Sequence, residues 1–78
     1  MMKARITITL KPGVLDPQGR AIQGALKSLG YDGVESVRQG KVIDIELAHG
    51  AGAEARLREM CERLLANTVI EDYRVEIG

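Results

Sequence analysis

The sequence has very few aromatic residues: tyrosine occurs twice, at Tyr31 and Tyr73, while phenylalanine and tryptophan do not occur at all. Small sheet proteins that bind single-stranded RNA stack the bases on exposed aromatic side chains, so this class is not favoured. Neither sign of charge is in excess, because 11 basic residues balance 11 acidic ones and the two are interspersed along the chain. The sequence therefore gives no sign of a nucleic-acid or anionic-membrane footprint.

Cysteine, histidine and long apolar runs are scarce as well. With Cys61 and His49 as single representatives, neither an internal disulfide nor a local Cys/His metal cluster can form, which suits the reducing cytosol. No run approaches the roughly 20 apolar residues of a membrane span, and residues 1–10 alternate in polarity instead of forming the apolar core of a secretion signal. We therefore expect a cytoplasmic protein. Its 78 residues, 45% of them hydrophobic, predict one small globular domain over residues 1–78.

The first part of the chain predicts a strand followed by a helix. Asp16 followed by Pro17 is a typical helix start, since Asp caps free backbone amides and Pro fits the first helical turn. Gly30 predicts the helix end, where a left-handed conformation suits a residue without a Cβ. The strand has apolar residues at period two, Ala4, Ile6, Ile8 and Leu10, and the helix has the apolar stripe Ile22, Ala25, Leu26 and Leu29.

The rest of the chain predicts a hairpin, a second helix and a last strand. Residues 34–38 and 41–47 are rich in strand formers, and Gln39-Gly40 between them predicts a hairpin turn. A Gly-rich loop at 49–52 leads into the second helix, and residues 73–77 alternate as a fourth strand. The apolar stripe of the second helix consists of Leu57, Met60, Cys61, Leu64 and Leu65.

The element order β-α-β-β-α-β is that of the α+β ferredoxin-like fold. It predicts a four-stranded antiparallel sheet with both helices on one face and polar residues such as Arg5 and Arg74 on the other. A small sheet with an uncovered face and unpaired edges commonly completes its burial through a partner, so we expect self-association. Whether residues 34–47 form a hairpin within one chain or extend strands across a dimer stays open.

Candidate catalytic residues are few. Cys61 falls within the apolar stripe of the second helix, where a thiol packs as a small hydrophobic group, and His49 is a lone imidazole without an identifiable partner. The loop at 49–53 could hold a phosphate on its backbone amides, but it lacks the Lys and Ser/Thr of a P-loop, so a flexible connector is favoured. No catalytic, cofactor-binding or metal-binding residue is predicted.

Charged residues on the two helices favour solvated surfaces, with partner contact as the alternative. On the second helix the spacing predicts i,i+4 pairs of Arg58 with Glu62 and of Glu59 with Arg63. Near the first helix, three cations could gather anions, although mixed-sign neighbours make an ordinary surface the favoured interpretation. These cations are Lys11, Arg20 and Lys27.

Three stretches of the sequence carry a family resemblance: LKPGVLDPQG at 10–19, ALKSLGY at 25–31, and MCERLLAN at 60–67 running into VIEDY at 69–73. Together they resemble the PurS subunit of phosphoribosylformylglycinamidine synthase, and the likeness covers essentially the whole chain. Thr68 departs from the proline that often follows the asparagine in this family. We expect that difference to affect how sharply the helix stops and not the function.

The resemblance implies a non-catalytic small subunit of an ATP- and glutamine-dependent ligase complex in de novo purine biosynthesis. The complex converts formylglycinamide ribonucleotide to its amidine. A large synthetase subunit (PurL) binds nucleotide and substrate, and a glutaminase subunit (PurQ) supplies ammonia. The PurS subunit dimerises through its sheet and holds the other two so that ammonia passes between them. ATP, magnesium and glutamine would then be used by the partner subunits, and this chain would bind no cofactor. The resemblance also implies that this chain forms a homodimer or a homotetramer.

Residues 11–19 are the candidate contact surface with a partner subunit, because their prolines and glycines shape a loop that packing alone would not demand. A well-formed strand-to-helix turn is the alternative explanation. A free-standing ferredoxin-like metabolite-binding regulator is the second functional hypothesis, and an independent small enzyme, which the residue inventory disfavours, is the third. The candidate contact residues are Lys11, Pro12, Gly13, Asp16 and Arg20.

Overall fold

The computed structural model describes residues 2–78 and contains three strands and two helices within them. No helix in this range is long and apolar enough to span a bilayer. The alternating segment noted over residues 1–10 includes Met1, which lies outside the described residues. In chain order the elements are β1 (Met2–Leu10), α1 (Pro17–Ser28), β2 (Gly40–Leu47), α2 (Ala53–Met60), a π-helical turn (Cys61–Leu65) that continues α2, and β3 (Glu71–Ile77).

β1 is the central strand of the sheet. It pairs antiparallel with β2 on one side and with β3 on the other, in the order β2-β1-β3. Ile6 lies opposite Ile43 of β2 and Val75 of β3, so the alternating apolar residues of all three strands share one face. Ile6 and Ile8 are almost completely buried there, which confirms the period-two prediction for β1.

α2 and the π-helical turn cover this apolar face. Leu57 and Cys61 are fully buried in the same cluster as Ile6 and Ile8. Leu64, which the sequence placed in the same stripe, is instead 83% exposed. The cause is the π-helical turn, in which the amide of Ala66 donates to the carbonyl of Cys61, five residues earlier, at 3.0 Å. The widened turn changes the rotation per residue and directs Leu64 away from the core.

The prediction of a hairpin between residues 34–38 and 41–47 is wrong. Residues 34–39 are not a strand, so within residues 2–78 the sheet has three strands instead of the predicted four. A two-residue hairpin turn needs positive φ at one or both central positions, and neither Gln39 nor Gly40 has it. Gly40 opens β2 opposite Thr9, where a Cβ would lie 2.6 Å from the Ile8 carbonyl oxygen. Gly40 therefore allows β2 to lie close to β1 and does not form a turn.

α1 begins and ends as predicted but does not cover the sheet. The side chain of Asp16 accepts a hydrogen bond from the Gly19 amide, and Gly30 has a φ of 93° just beyond the helix. Two residues of the predicted apolar stripe are exposed, however: Ile22 is 41% exposed and Leu29 is 74% exposed. The radius of gyration is 16.0 Å, whereas a compact domain of this length has about 11.5 Å. The prediction of both helices on one sheet face is therefore wrong, and α1 lengthens the molecule to 49 Å.

Candidate subunit interfaces

The titratable side chains of residues 2–78 form no group of three or more His, Cys, Asp or Glu able to hold a metal ion. Cys61 is fully buried in the core, which confirms its predicted packing role, and this burial raises the pKa of its thiol. His49 is exposed in the loop before α2. That loop ends at Gly52, which has a φ of 65° and provides no side-chain cap for the helix.

The five candidate contact residues divide into two groups. Pro12 and Gly13 are exposed at a turn, where Gly13 has a φ of 86°, and Arg20 is exposed on α1. Lys11 and Asp16 are partly buried and bind neighbouring segments of the chain itself. The turn anticipated as the alternative is therefore present, and contact with a partner stays a prediction.

Lys11 connects the end of β1 to the chain that enters β3. Its amide donates to the carbonyl of Ile70 at 2.8 Å, and its Nζ lies 3.4 Å from Oδ1 of Asp72. Its carbonyl accepts a hydrogen bond of 3.1 Å from the Arg38 guanidinium. Because the Lys11–Asp72 pair is exposed to solvent, it adds little to stability, and the backbone bonds do most to hold the loop in place.

Asp16 connects three segments with one carboxylate. Oδ1 accepts the Gly19 amide of α1 at 2.8 Å, and Oδ2 accepts the Gln39 amide, also at 2.8 Å. These two bonds, first that from Gln39 and then that from Gly19, hold the pKa of the Asp16 carboxyl below its ordinary value. The Asp-Pro pattern predicted the helix cap. The bond to Gln39 was missed because local spacing carries no signal for a partner 23 positions away.

α1 presents two chemically different surfaces. Its apolar side, defined here as Ile22, Ala25 and Leu29, is exposed along the helix, and contiguous apolar exposure of this kind marks an interaction surface. Another side borders an open groove of about 480 Å³, with Arg20 and Lys27 as its cations. The groove is lined by Arg20, Gln23, Gly24, Lys27, Tyr31, Asp32, Gly33 and Val34.

The sheet face opposite α2 is polar, as predicted. Arg5 Nε lies 2.9 Å from Asp44 Oδ1, and the hydrogen bond from Arg5 lowers the pKa of the Asp44 carboxyl. Arg74 forms a second exposed pair with Glu76 at 3.2 Å. An apolar partner on this face would have to desolvate these ions, which is costly. The sheet edges and the apolar side of α1 are better suited to association than this charged face.

The outer face of α2 carries the predicted type of ion pairs with one change of partner. Arg63 lies 3.1 Å from Glu59, which confirms that pair. Arg58 pairs with Glu54 at 3.2 Å and not with Glu62, as the sequence suggested. Glu62 belongs to the π-helical turn, so its position relative to Arg58 departs from α-helical i,i+4 geometry. Both observed pairs are exposed, as predicted for a solvated face.

Comparisons with known proteins agree over nearly the whole chain. The family model PurS, described as phosphoribosylformylglycinamidine (FGAM) synthase, matches residues 3–78. The PurS subunit of this synthase from Synechocystis sp. is 55% identical over 75 residues, 94% of this chain and 75% of the relative.

Solved structures extend the likeness to the fold. PurS from Bacillus subtilis is 47% identical with a TM-score of 0.93, covering 100% of this chain and 99% of that one. A chain in the structure of PurLQS from Thermotoga maritima is 30% identical with a TM-score of 0.83, covering 99% and 96%. The resemblance seen in the three sequence stretches is thereby confirmed, and the chain belongs to the PurS family of phosphoribosylformylglycinamidine synthase subunits.

Proposed function

We propose that the chain acts as the non-catalytic assembly subunit of this purine-biosynthetic synthase, holding the synthetase and glutaminase subunits together and supporting ammonia transfer between them. Family membership over residues 3–78 is the observation that carries the proposal. The fold match to a chain of PurLQS supports it, as does the purine biosynthetic pathway named for the solved relative from Methanocaldococcus jannaschii.

The chemistry of the side chains fits a positioning role. Cys61 is packed in the core and His49 stands alone in an exposed loop, so neither has the surroundings of a nucleophile or a general base. Fixing two catalytic subunits in a productive arrangement is itself a contribution to rate. In this proposal the large subunit (PurL) and the glutaminase (PurQ) bind ATP, magnesium and glutamine, and the complex works in the cytoplasm.

We also propose that the chain functions as a homodimer. The apolar side of α1 is left exposed by its own sheet, and the outer edge of β2 is unpaired within residues 2–78. A second copy brings the same apolar side and the same strand edge, so two-fold symmetry can bury both pairs at once. Pairing at strand edges keeps the charged sheet face in water. Mass measurements over a range of concentrations distinguish a dimer from a tetramer.

Reconstitution tests the assembly role. Purified synthetase and glutaminase subunits are assayed for glutamine-dependent amidine formation with and without this chain. We expect omission to reduce the glutamine-dependent rate by at least about tenfold, because the two sites are no longer held together. Activity with concentrated ammonium as nitrogen donor serves as the control and should persist. Equal glutamine-dependent rates with and without the chain would contradict the role and favour the free-standing regulator, which should bind a metabolite by itself.

Charge reversal tests the candidate contact residues. Arg20→Glu is expected to weaken co-elution with the synthetase subunit about tenfold at low salt, since surface charges steer and orient docking. Lys11→Glu should act in the same direction, although it also disrupts the pair with Asp72. Melting of the isolated chain should stay unchanged. Arg56→Glu on α2 is the matched control, because Arg56 is also an exposed helical cation. Unaltered co-elution of the Arg20 variant would refute this contact.

A further inference from the structure

α1 is bound by hydrogen bonds to the segment that follows it. We call residues 17–39 the α1 arm. Gln23 Nε2 donates to the carbonyls of Val34 and Glu35, both at 3.0 Å. Gly19 packs so closely that a Cβ there would lie 2.4 Å from the Val37 carbonyl oxygen. The helix and the extended segment therefore form one unit along their length.

The base of the α1 arm is held by two side chains. The Arg38 guanidinium donates to the carbonyls of Leu10 at 2.8 Å and Lys11 at 3.1 Å, at the end of β1. Asp16 binds both ends of the arm, since its two oxygens accept the amides of Gly19 and Gln39. The first turn of α1 and the residue directly before β2 thus converge on one carboxylate.

We propose that Asp16 is a positioning residue that sets the direction of the α1 arm and so presents the apolar side of α1 to a second copy of the chain. This inference rests on the homodimer of the proposed function. Because α1 does not pack on its own sheet, its direction depends on the contacts at its base. A helix of 12 residues is about 18 Å long. A small rotation of α1 about its base therefore displaces Leu29, which follows the far end of the helix, several times further than it displaces the first turn.

The variant Asp16→Asn tests the helix-capping hydrogen bond from Gly19 separately from the hydrogen bond from Gln39. Asparagine caps helices about as well as aspartate, but its NH2 group replaces one of the two oxygens that accept from Gly19 and Gln39, so one of these bonds loses its acceptor. We expect unchanged helix content at a concentration that keeps the variant dimeric, together with a dimer dissociation constant raised about tenfold. Far-UV circular dichroism and sedimentation equilibrium measure these two quantities. A role limited to helix capping would leave the dissociation constant unchanged.

A pair of glycine substitutions tests the same inference without changing a charge. A Cβ at Gly19 would lie 2.4 Å from the Val37 carbonyl oxygen and 2.6 Å from Asp16 Oδ2, so Gly19→Ala forces α1 away from both and is expected to weaken the dimer at least about tenfold. Gly24→Ala is the matched control in the same helix, because no atom lies within 4 Å of its added Cβ. Both changes replace a glycine of α1 by alanine, which favours the helix. The control should leave the dissociation constant unchanged.

The possible results distinguish the positioning role of Asp16 from the proposed homodimer and from the proposed assembly role. A wild-type chain that stays monomeric at all concentrations overturns the homodimer and the positioning role together. A wild-type dimer whose Asp16→Asn and Gly19→Ala variants associate equally tightly overturns the positioning role alone. The assembly role in the synthase is judged separately, by the glutamine-dependent rate in reconstitution.

Discussion

Replacing Leu57 by alanine is expected to lower the free energy of unfolding by about 3 kcal/mol. Leu57 is fully buried and packs with Ile6, Ile8 and Cys61 between α2 and the sheet. A domain of this size has roughly 4–12 kcal/mol of stability in total, so the loss is a large part of it. Urea unfolding measures the change, and the melting temperature should fall by about 12–24 °C.

Leu64→Ala is the matched control, because Leu64 lies one heptad after Leu57 in the stripe that the sequence predicted. Its side chain is directed into solvent by the π-helical turn, so the cost should stay within about 0.5 kcal/mol. Both variants are measured at low protein concentration, where association does not contribute. Equal losses at the two leucines would show that the π-helical turn does not set the boundary of the core.

Replacing both Ile22 and Leu29 by glutamate is expected to convert the proposed homodimer into monomers. Burial of such a side chain contributes about 1.5–3 kcal/mol, and a symmetric dimer contains each position twice. Because Ile22 is 41% and Leu29 74% exposed in one copy, the four side chains account for about 3.5 kcal/mol at the lower value, which raises the dissociation constant by about 300-fold. Sedimentation equilibrium measures this constant. The fold of the sheet should be retained, since neither side chain belongs to the buried cluster.

The control for this double variant is Ser28→Glu, which adds a negative charge to another exposed position of α1. The dissociation constant of the control should change less than about threefold, an effect of surface electrostatics alone. A double glutamate variant that remains dimeric would exclude the apolar side of α1 from the interface. Association through a sheet edge, that of β2 or that of β3, would then be favoured for a dimer.

Local patterns predicted those parts of the fold that depend on neighbours in sequence. The alternation around Ile6 and Ile8 predicted the buried face of β1, because successive side chains of a strand point to opposite faces. Asp16, Pro17 and Gly30 predicted both ends of α1, because caps satisfy the free amides and carbonyls of the terminal turns.

The errors arose where long-range partners decide the structure. Residues 34–38 have the composition of a strand, but their backbone partners include the Gln23 amide group, and Gln39 bonds to Asp16. Leu64 fits the α-helical period, and one widened turn moves it into solvent. Composition and spacing record neither a distant hydrogen bond nor a local change of helix type, so these features needed the structure.

The candidate interface was predictable only in part. The apolar stripe of α1 was visible in the sequence. Amphipathic periodicity indicates that one face of a helix is apolar, but it does not indicate which surface covers that face. The prediction assigned Ile22 and Leu29 to the sheet of the same chain, and the structure leaves them exposed. The family resemblance in residues 10–19 identified the protein class, whereas the residues that contact a partner subunit still require the charge-reversal experiment.

The elongated shape of the chain also bears on how fast the synthase can form. The sheet and α2 close around one buried cluster within a single copy, so this step proceeds at a rate independent of protein concentration. Burial of the apolar side of α1 in the proposed homodimer requires an encounter between two copies and is second order in concentration. At low expression levels the collision rate of folded copies, and not the folding rate of each, therefore limits the supply of assembled subunits.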